Sequence, residues 1–105
     1  MVKAPNDIIA VIKKYIAELE KHNIRIKTAI LFGSYAKGNQ DEYSDVDIAL
    51  VSNDFEGVRF LDKEKIRKIT LDIDYRLSPL PYRTEDFTSD DLFVKEILET
   101  GEKVI

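Results

Sequence analysis

The sequence predicts a small α/β (α+β) domain, a mixed β-sheet flanked by helices, and three observations carry that reading. Helical and strand periodicities alternate along the 105 residues in the order α-β-β-α-β-α, which folds most simply as one sheet with helices packed on it. Two of the strands become continuously apolar at one end, as strands covered on both faces do. The chain is 44% hydrophobic and has no cysteine, so its core rests on side-chain burial alone, without disulfides or thiolate metal sites. A chain of this length is expected to form a single domain, residues 1–105.

Residues 5–21 read as a helix. Ile8, Ile9, Ile12, Tyr15, Ile16 and Leu19 recur at three- and four-residue spacing and share one face, with Lys13, Lys14, Glu18 and Glu20 mostly on the other. Asn6 or a neighbour caps its start, beside Pro5. Residues 24–32 read as a strand, in which Ile24, Ile26, Thr28 and Ile30 alternate with Arg25 and Lys27 before the apolar run 29–32. Gly33-Ser34 turns the chain at once, where a short helix can begin. Residues 46–51 read as a second strand. Residues 56–69 read as a helix burying Val58, Leu61, Ile66 and Ile69.

Residues 70–77 read as a third strand, carrying Asp72 and Asp74. Residues 78–83, with Pro79 and Pro81, read as a loop. Thr88 or Ser89 caps a last helix whose first turn holds Asp90 and Asp91. Leu92, Phe93, Val94, Ile97 and Leu98 form its apolar side, and Gly101 stops it.

Formal net charge is −4. That balance argues against broad non-specific nucleic-acid binding, which needs a basic surface to displace counterions. No apolar run is long enough to span a bilayer and no signal peptide opens the chain, so a cytoplasmic location with no membrane partner is expected.

The chemistry concentrates in residues 31–51. Gly33 permits a sharp turn and a close backbone approach, and the first N–H groups of a helix favour an anion in front of them. Ser34 adds a hydroxyl donor, Lys37 a cation for a phosphate oxygen, and Gly38 a second turn. A Gly-Ser pair taken alone is more often a plain strand-to-helix turn. Asp45 and Asp47 open the second strand. Two residues apart on a strand, they face one side at roughly 6–7 Å spacing. Such a pair repels unless a cation holds it, and Mg²⁺ suits oxygen ligands that leave positions free for phosphates. If the two strands pair antiparallel, the Gly-Ser turn meets the acids, and the geometry suits phosphoryl or nucleotidyl transfer.

A third carboxylate comes from Asp72 or Asp74. Asp74 is preferred because it lies nearer the middle of the expected strand, and solvated acids on an edge strand are the competing reading. His22, the sole histidine, reads as an exposed residue at a helix C-terminus. Tyr35 and Tyr43 flank the motif, where tyrosines more often pack than stack on a base. Phe60, Tyr75 and Phe87 read as core or partner surface.

GSYAKG followed by SDVD resembles the GSxxxG…DxD signature of the DNA polymerase β-like nucleotidyltransferase superfamily. The ten residues between Gly33-Ser34 and Asp45 match its short members, the minimal nucleotidyltransferases. The resemblance covers most of the chain and implies the polymerase β-like nucleotidyltransferase core. It implies that Gly33 and Ser34 hold the triphosphate of ATP or another nucleoside triphosphate, that Asp45 and Asp47 bind Mg²⁺, and that Asp74 is the third metal-binding, catalytic carboxylate. It implies transfer of a nucleoside monophosphate to a hydroxyl, with release of pyrophosphate. It also implies a toxin–antitoxin pair with a small helical HEPN-domain protein, in which the nucleotidyltransferase is the antitoxin and adenylylates a tyrosine of the toxin.

Two departures stand out. The family often carries arginine where Lys37 stands, and lysine makes no planar fork to phosphate. The segment DIDYRLSPLPYRTEDF, from Asp72, resembles a subgroup with an acidic residue just before the first proline, where this chain has Ser78. A second reading is therefore a catalytically weak or inactive nucleotide-binding module that neutralises a HEPN-like partner by complex formation. A generic interaction protein with a chance motif is the third.

Overall fold

In chain order the elements are α1 (Asn6–Lys21), β1 (Thr28–Phe32), the single turn α2 (Ser34–Lys37), β2 (Val46–Val51), α3 (Arg59–Ile73), β3 (Leu77–Tyr82), a 3₁₀ turn (Thr84–Asp86), α4 (Leu92–Thr100) and β4 (Glu102–Lys103). This computed structural model describes residues 5–41 and 44–105. The strands form one mixed sheet in the order β3-β2-β1-β4. The pairs β1–β2 and β1–β4 are antiparallel, whereas β2–β3 is parallel and crosses over through α3.

Successive strand residues point to opposite faces, so β1 and β2 serve two cores. On one face Ala29, Leu31, Val46, Ile48 and Leu50 pack with Ile8, Ile12 and Leu19 of α1 and Ile66 of α3. On the other, Ile30, Ala49 and Val51 meet Val94 and Ile97 of α4. Burying a Leu- or Ile-sized side chain stabilises by about 1.5–3 kcal/mol relative to exposure, so β2, buried on both sides, contributes to both cores. Among the described residues, no helix is long and apolar enough to cross a membrane.

The expected mixed sheet with flanking helices is present. β1 begins at Thr28 rather than at residue 24, β4 has no counterpart among the expected elements, and α1 starts from Pro5 without a side-chain cap from Asn6. Three further readings differ. Residues 70–77 are not a strand. The helix α3 runs on to Ile73, and the strand is Leu77–Tyr82, the stretch read as a loop from its prolines. The Val46 N–H donates to the Arg76 carbonyl (2.8 Å) and the Ser52 N–H to the Tyr82 carbonyl (3.0 Å). In a parallel ladder alternate residues turn their backbone to the neighbour, so Pro79 and Pro81 fall on the outer side. On an edge strand their missing N–H groups cost nothing there.

The buried stripe of α3 is also different: Asp62, Ile66 and Thr70 are buried, while Val58 and Leu61 are about half exposed. Polar residues hold those inner positions because they are satisfied. Asp62 accepts from the Glu56 and Gly57 N–H groups (2.8 and 2.9 Å), and the Thr70 hydroxyl bonds the Tyr15 hydroxyl and the Ile66 carbonyl. Finally, α4 is capped by Asp91, not by Thr88 or Ser89. Its carboxylate accepts from the N–H groups of Phe93 (2.8 Å) and Val94 (3.3 Å). Gly101 ends α4 as expected, and a Cβ there would lie 2.5 Å from Ile30 Cγ2.

Candidate active site

The antiparallel register brings the two motifs together. Phe32 pairs with Asp47, so Gly33, the next residue, lies against the Asp47 side chain. Gly33 adopts φ 71°, ψ −146°, a region closed to residues with a Cβ. A Cβ on Gly33 would overlap the Asp47 Oδ2 and come within 3.2 Å of its Cγ. Backbone and contact thus both demand glycine. Ser34 then opens α2, whose first turn carries N–H groups with no partner inside a helix. Gly38 closes it in the left-handed conformation at φ 77°. Lys37 is exposed on the same turn.

Asp45 lies exposed at the mouth of β2, and Asp47 is half-buried two residues on. Burial lifts the Asp47 carboxyl above the ordinary aspartate range. The charge of Asp45 lifts it further, and a hydrogen bond with Ser78 pulls it back. A carboxylate pair under that strain fits a hard divalent cation, since Mg²⁺ commonly takes one or two protein carboxylates and completes its shell with phosphate oxygens and water.

Ser78 is the site residue that sequence reasoning left out of the site. The parallel register pairs it with Asp47, on the face that α4 covers. Asp47 is therefore flanked by Gly33 on β1's side and by Ser78 on β3's side. The signal was present as the departure before the first proline, but with 78–83 read as a loop its position beside Asp47 was hidden.

Asp74 stands elsewhere. It caps the C-terminal end of α3 and accepts from the Arg76 N–H (2.8 Å), Nε (3.1 Å) and Nη2 (2.8 Å). Those hydrogen bonds hold its carboxyl below the ordinary aspartate range. Asp72 is exposed on α3. Among the described residues, no three His, Cys, Asp or Glu side chains are grouped so that they could hold one ion, so neither Asp74 nor Asp72 joins Asp45 and Asp47 in a ligand set. The pairing with Arg76 is structural. Asp74→Asn is expected to lower stability by about 1–3 kcal/mol while leaving transfer per folded molecule within a few-fold of the parent, checked by thermal unfolding and by rate at a temperature where both are folded.

Beside Gly33, a cavity of ≈ 210 Å³ is walled by Phe32, Lys37, Phe93 and Ile97. Phe93 meets Phe32 edge-on at 5.8 Å between ring centres. Of the apolar residues of α4, Ile97 is core and Leu92 is exposed. Tyr35 is buried in the α1 core rather than offered to a base, and Tyr43 lies outside the described residues. His22 is exposed at the end of α1, with its Nδ1 2.9 Å from the Glu18 carbonyl.

A turn whose free N–H groups suit an anion, set against paired carboxylates, has the chemistry that a metal-bound phosphate ester needs. Comparison with known proteins agrees. Residues 9–104 match the family described as nucleotidyltransferase domain. The chain belongs to that family. A Methanocaldococcus jannaschii protein, provisionally named a protein adenylyltransferase, is 35% identical over 102 residues, covering 93% of this chain and 96% of its own. Among solved structures, a provisionally named nucleotidyltransferase from Sulfolobus solfataricus aligns with a TM-score of 0.62 at 15% identity, over 92% of this chain and 78% of that one. A toxin–antitoxin crystallised with AMP-PNP aligns with a TM-score of 0.59 at 23% identity, over 89% and 72%. At those identities the structures speak for the fold. The nucleotidyltransferase is thus an enzyme by family, and its reaction class is nucleotidyl transfer.

Proposed function

We propose that this nucleotidyltransferase transfers the AMP moiety of ATP to a hydroxyl of a partner protein in the cytoplasm, as the antitoxin of a toxin–antitoxin pair whose toxin is a small helical HEPN-domain protein. The observation that carries the reading is the contact of Gly33 with Asp47, which sets a phosphate-binding turn directly against a carboxylate pair. The provisional name of the M. jannaschii relative supports a protein acceptor, and the toxin–antitoxin neighbour supports a partner.

The roles follow from position. The N–H groups after Gly33, the Ser34 hydroxyl and Lys37 bind the triphosphate. Asp45 and Asp47 hold Mg²⁺. Mg²⁺ held there would neutralise phosphate charge; in the transfer the acceptor hydroxyl oxygen bonds to the α-phosphorus, the bond from the α-phosphorus to pyrophosphate breaks, and the hydroxyl proton goes to solvent. Ser78 orients Asp47 from the β3 side.

Ser78 also favours the second reading. A neutral hydroxyl stands beside Asp47, where a third carboxylate would complete a two-metal set, so catalysis is slow and complex formation carries much of the neutralisation. Ser78→Asp is then expected to raise the transfer rate by about tenfold or more, an effect of the size of one added general-base or charge contribution. Single-turnover kinetics checks it, and a rate at or below the parent's removes this account of Ser78.

The test of the function is intact mass. The protein is incubated with ATP and Mg²⁺, with and without the protein encoded by the adjacent gene. Added AMP on that partner, lost with Asp45→Asn, is the expected result. An unmodified partner in a tight complex selects the binding-module reading, and no modification and no complex rejects both.

A further inference from the structure

The surface between α3 and β3 meets the nucleotide site only at Ser78. A groove of ≈ 320 Å³ runs there, with Lys63, Glu64, Arg67 and Leu71 of α3 and Ser78 and Pro79 of β3 among its lining residues. Along α3, Phe60, Glu64, Arg67 and Leu71 share one stripe, the last three lying four, seven and eleven residues after the first. The stripe is apolar at both ends and wet: Phe60 is 72% exposed, Leu71 58%, and Tyr75, just beyond the helix, 83%. At 1.5 Å rise per residue, Phe60 to Leu71 spans about 16 Å, three turns of a facing helix.

Charge on this surface runs against that of the whole chain. The chain is net negative at −4, yet the exposed side of α3 carries Lys63, Arg67 and Lys68 with no ion pair to any of them among the described residues. Of the three acids of α3, Asp62 is turned inward and spent on the Glu56 and Gly57 N–H groups, which leaves Glu64 and Asp72 exposed against the five exposed cations Arg59, Lys63, Lys65, Arg67 and Lys68. The strand edge imposes a second restriction. Pro79 and Pro81 face outward on β3, so the edge offers no N–H at those positions and a partner strand cannot extend the sheet. An occupant must therefore dock by side chains.

We propose that this groove docks the acceptor protein through an acidic amphipathic helix, with its apolar residues on Phe60, Leu71 and Pro79 and its carboxylates on Lys63, Arg67 and Lys68. Naming the occupant as the acceptor rests on the transferase reading above; the docking chemistry does not. Ser78 borders both this groove and Asp47, so the docked helix lies next to the active site.

The first arm of the test needs no catalysis. Isotope-labelled protein is titrated with a synthetic helical peptide of about 18 residues, Leu on one face and Glu on the other, and with the same peptide carrying Lys for Glu. Expected are amide shifts confined to residues 60–71 and 77–78, at least tenfold weaker binding of the Lys peptide, and a similar loss with the exposed double variant Lys63→Glu/Arg67→Glu. Lys13→Glu, on the outer side of α1, leaves binding unchanged. Shifts mapping elsewhere, or equal binding of the two peptides, overturn the proposal. In the second arm, the double variant raises KM for the protein acceptor tenfold or more while the affinity for an ATP analogue stays at the parent's value. If the acid peptide maps to the groove but no protein is ever modified, the transferase reading falls and the docking surface stands.

Discussion

Asp47→Asn loses nucleotidyl transfer by ~100-fold or more, in line with removing a preorganised charge at a phosphoryl centre, and the variant is as stable as the parent or more so. Both halves follow from one geometry. The carboxylate is half-buried, faces Asp45, and has its carboxyl lifted above the ordinary aspartate range by burial first and by Asp45 second. In the pH interval between the unfolded and the raised folded value, the native state binds more protons than the unfolded chain. Stability therefore falls as pH rises through the folded value, and at neutral pH the ionised Asp47 costs stability. Asparagine removes that cost together with the metal ligand. In metal-free protein, the melting temperature of Asp47→Asn is expected to equal or exceed the parent's at pH 7, with the difference closing on acidification below the aspartate range. A variant that loses both activity and stability at pH 7 would mean that Asp47 is structural rather than held for function.

Gly33→Ala is expected to have an effect of comparable size by another route. Alanine at φ 71°, ψ −146° carries a backbone strain of about 1–3 kcal/mol. Its Cβ also overlaps the Asp47 carboxylate, so relief requires moving the residue on which the site depends. The variant should melt lower and lose binding of ATP with Mg²⁺. Gly38→Asn is a fitting control, because Gly38 sits in the ordinary left-handed region at φ 77°, which asparagine tolerates. A double variant, Gly33→Ala with Asp47→Ala, removes the overlapping group. Its stability loss should be smaller than the sum of the two single changes, as expected for side chains in direct contact. Strict additivity would show that the two residues do not touch.

Much of this site was legible because it lies where local signals are strong. The run ending at Phe32, the Gly33 turn and the apolar stretch after Asp47 fix an antiparallel pair, and the pair then places Gly33 on Asp47. The errors cluster in residues 56–83, and they have two physical causes. In α3 the inner stripe is Asp62, Ile66 and Thr70. Two of its three residues are polar and satisfied by local or long-range hydrogen bonds, so an apolar periodicity search picks Val58 and Leu61 instead. In β3 the prolines signal a loop, whereas their missing N–H groups are harmless on the outer edge of a parallel strand.

Both errors propagated to the third carboxylate. With the strand drawn at 70–77, Asp74 lies near its middle. With the strand at Leu77–Tyr82, the residue beside Asp47 is Ser78, and Asp74 belongs to the helix end that it caps with Arg76. The resemblance to the minimal nucleotidyltransferases supplied the one clue that pointed at position 78. Only the register turned that clue into a place in the site. The α3 surface was hidden for a related reason. Once Asp62 is known to face inward, the outward residues become a strip in which five cations stand against Glu64 and Asp72, with apolar residues among them, which no composition average over an acidic chain would reveal.

The central claim is that the turn at Gly33, the pair Asp45 and Asp47, and Ser78 form one metal-dependent nucleotide site. The most direct measurement is titration of the labelled protein with a non-hydrolysable ATP analogue and Mn²⁺ in place of Mg²⁺, following paramagnetic broadening of each amide signal. The account predicts broadening that begins at residues 33–34, 45–47 and 78, requires analogue and metal together, and disappears in Asp47→Asn. Broadening centred on Asp74 and the end of α3, or broadening that survives Asp47→Asn, would contradict it.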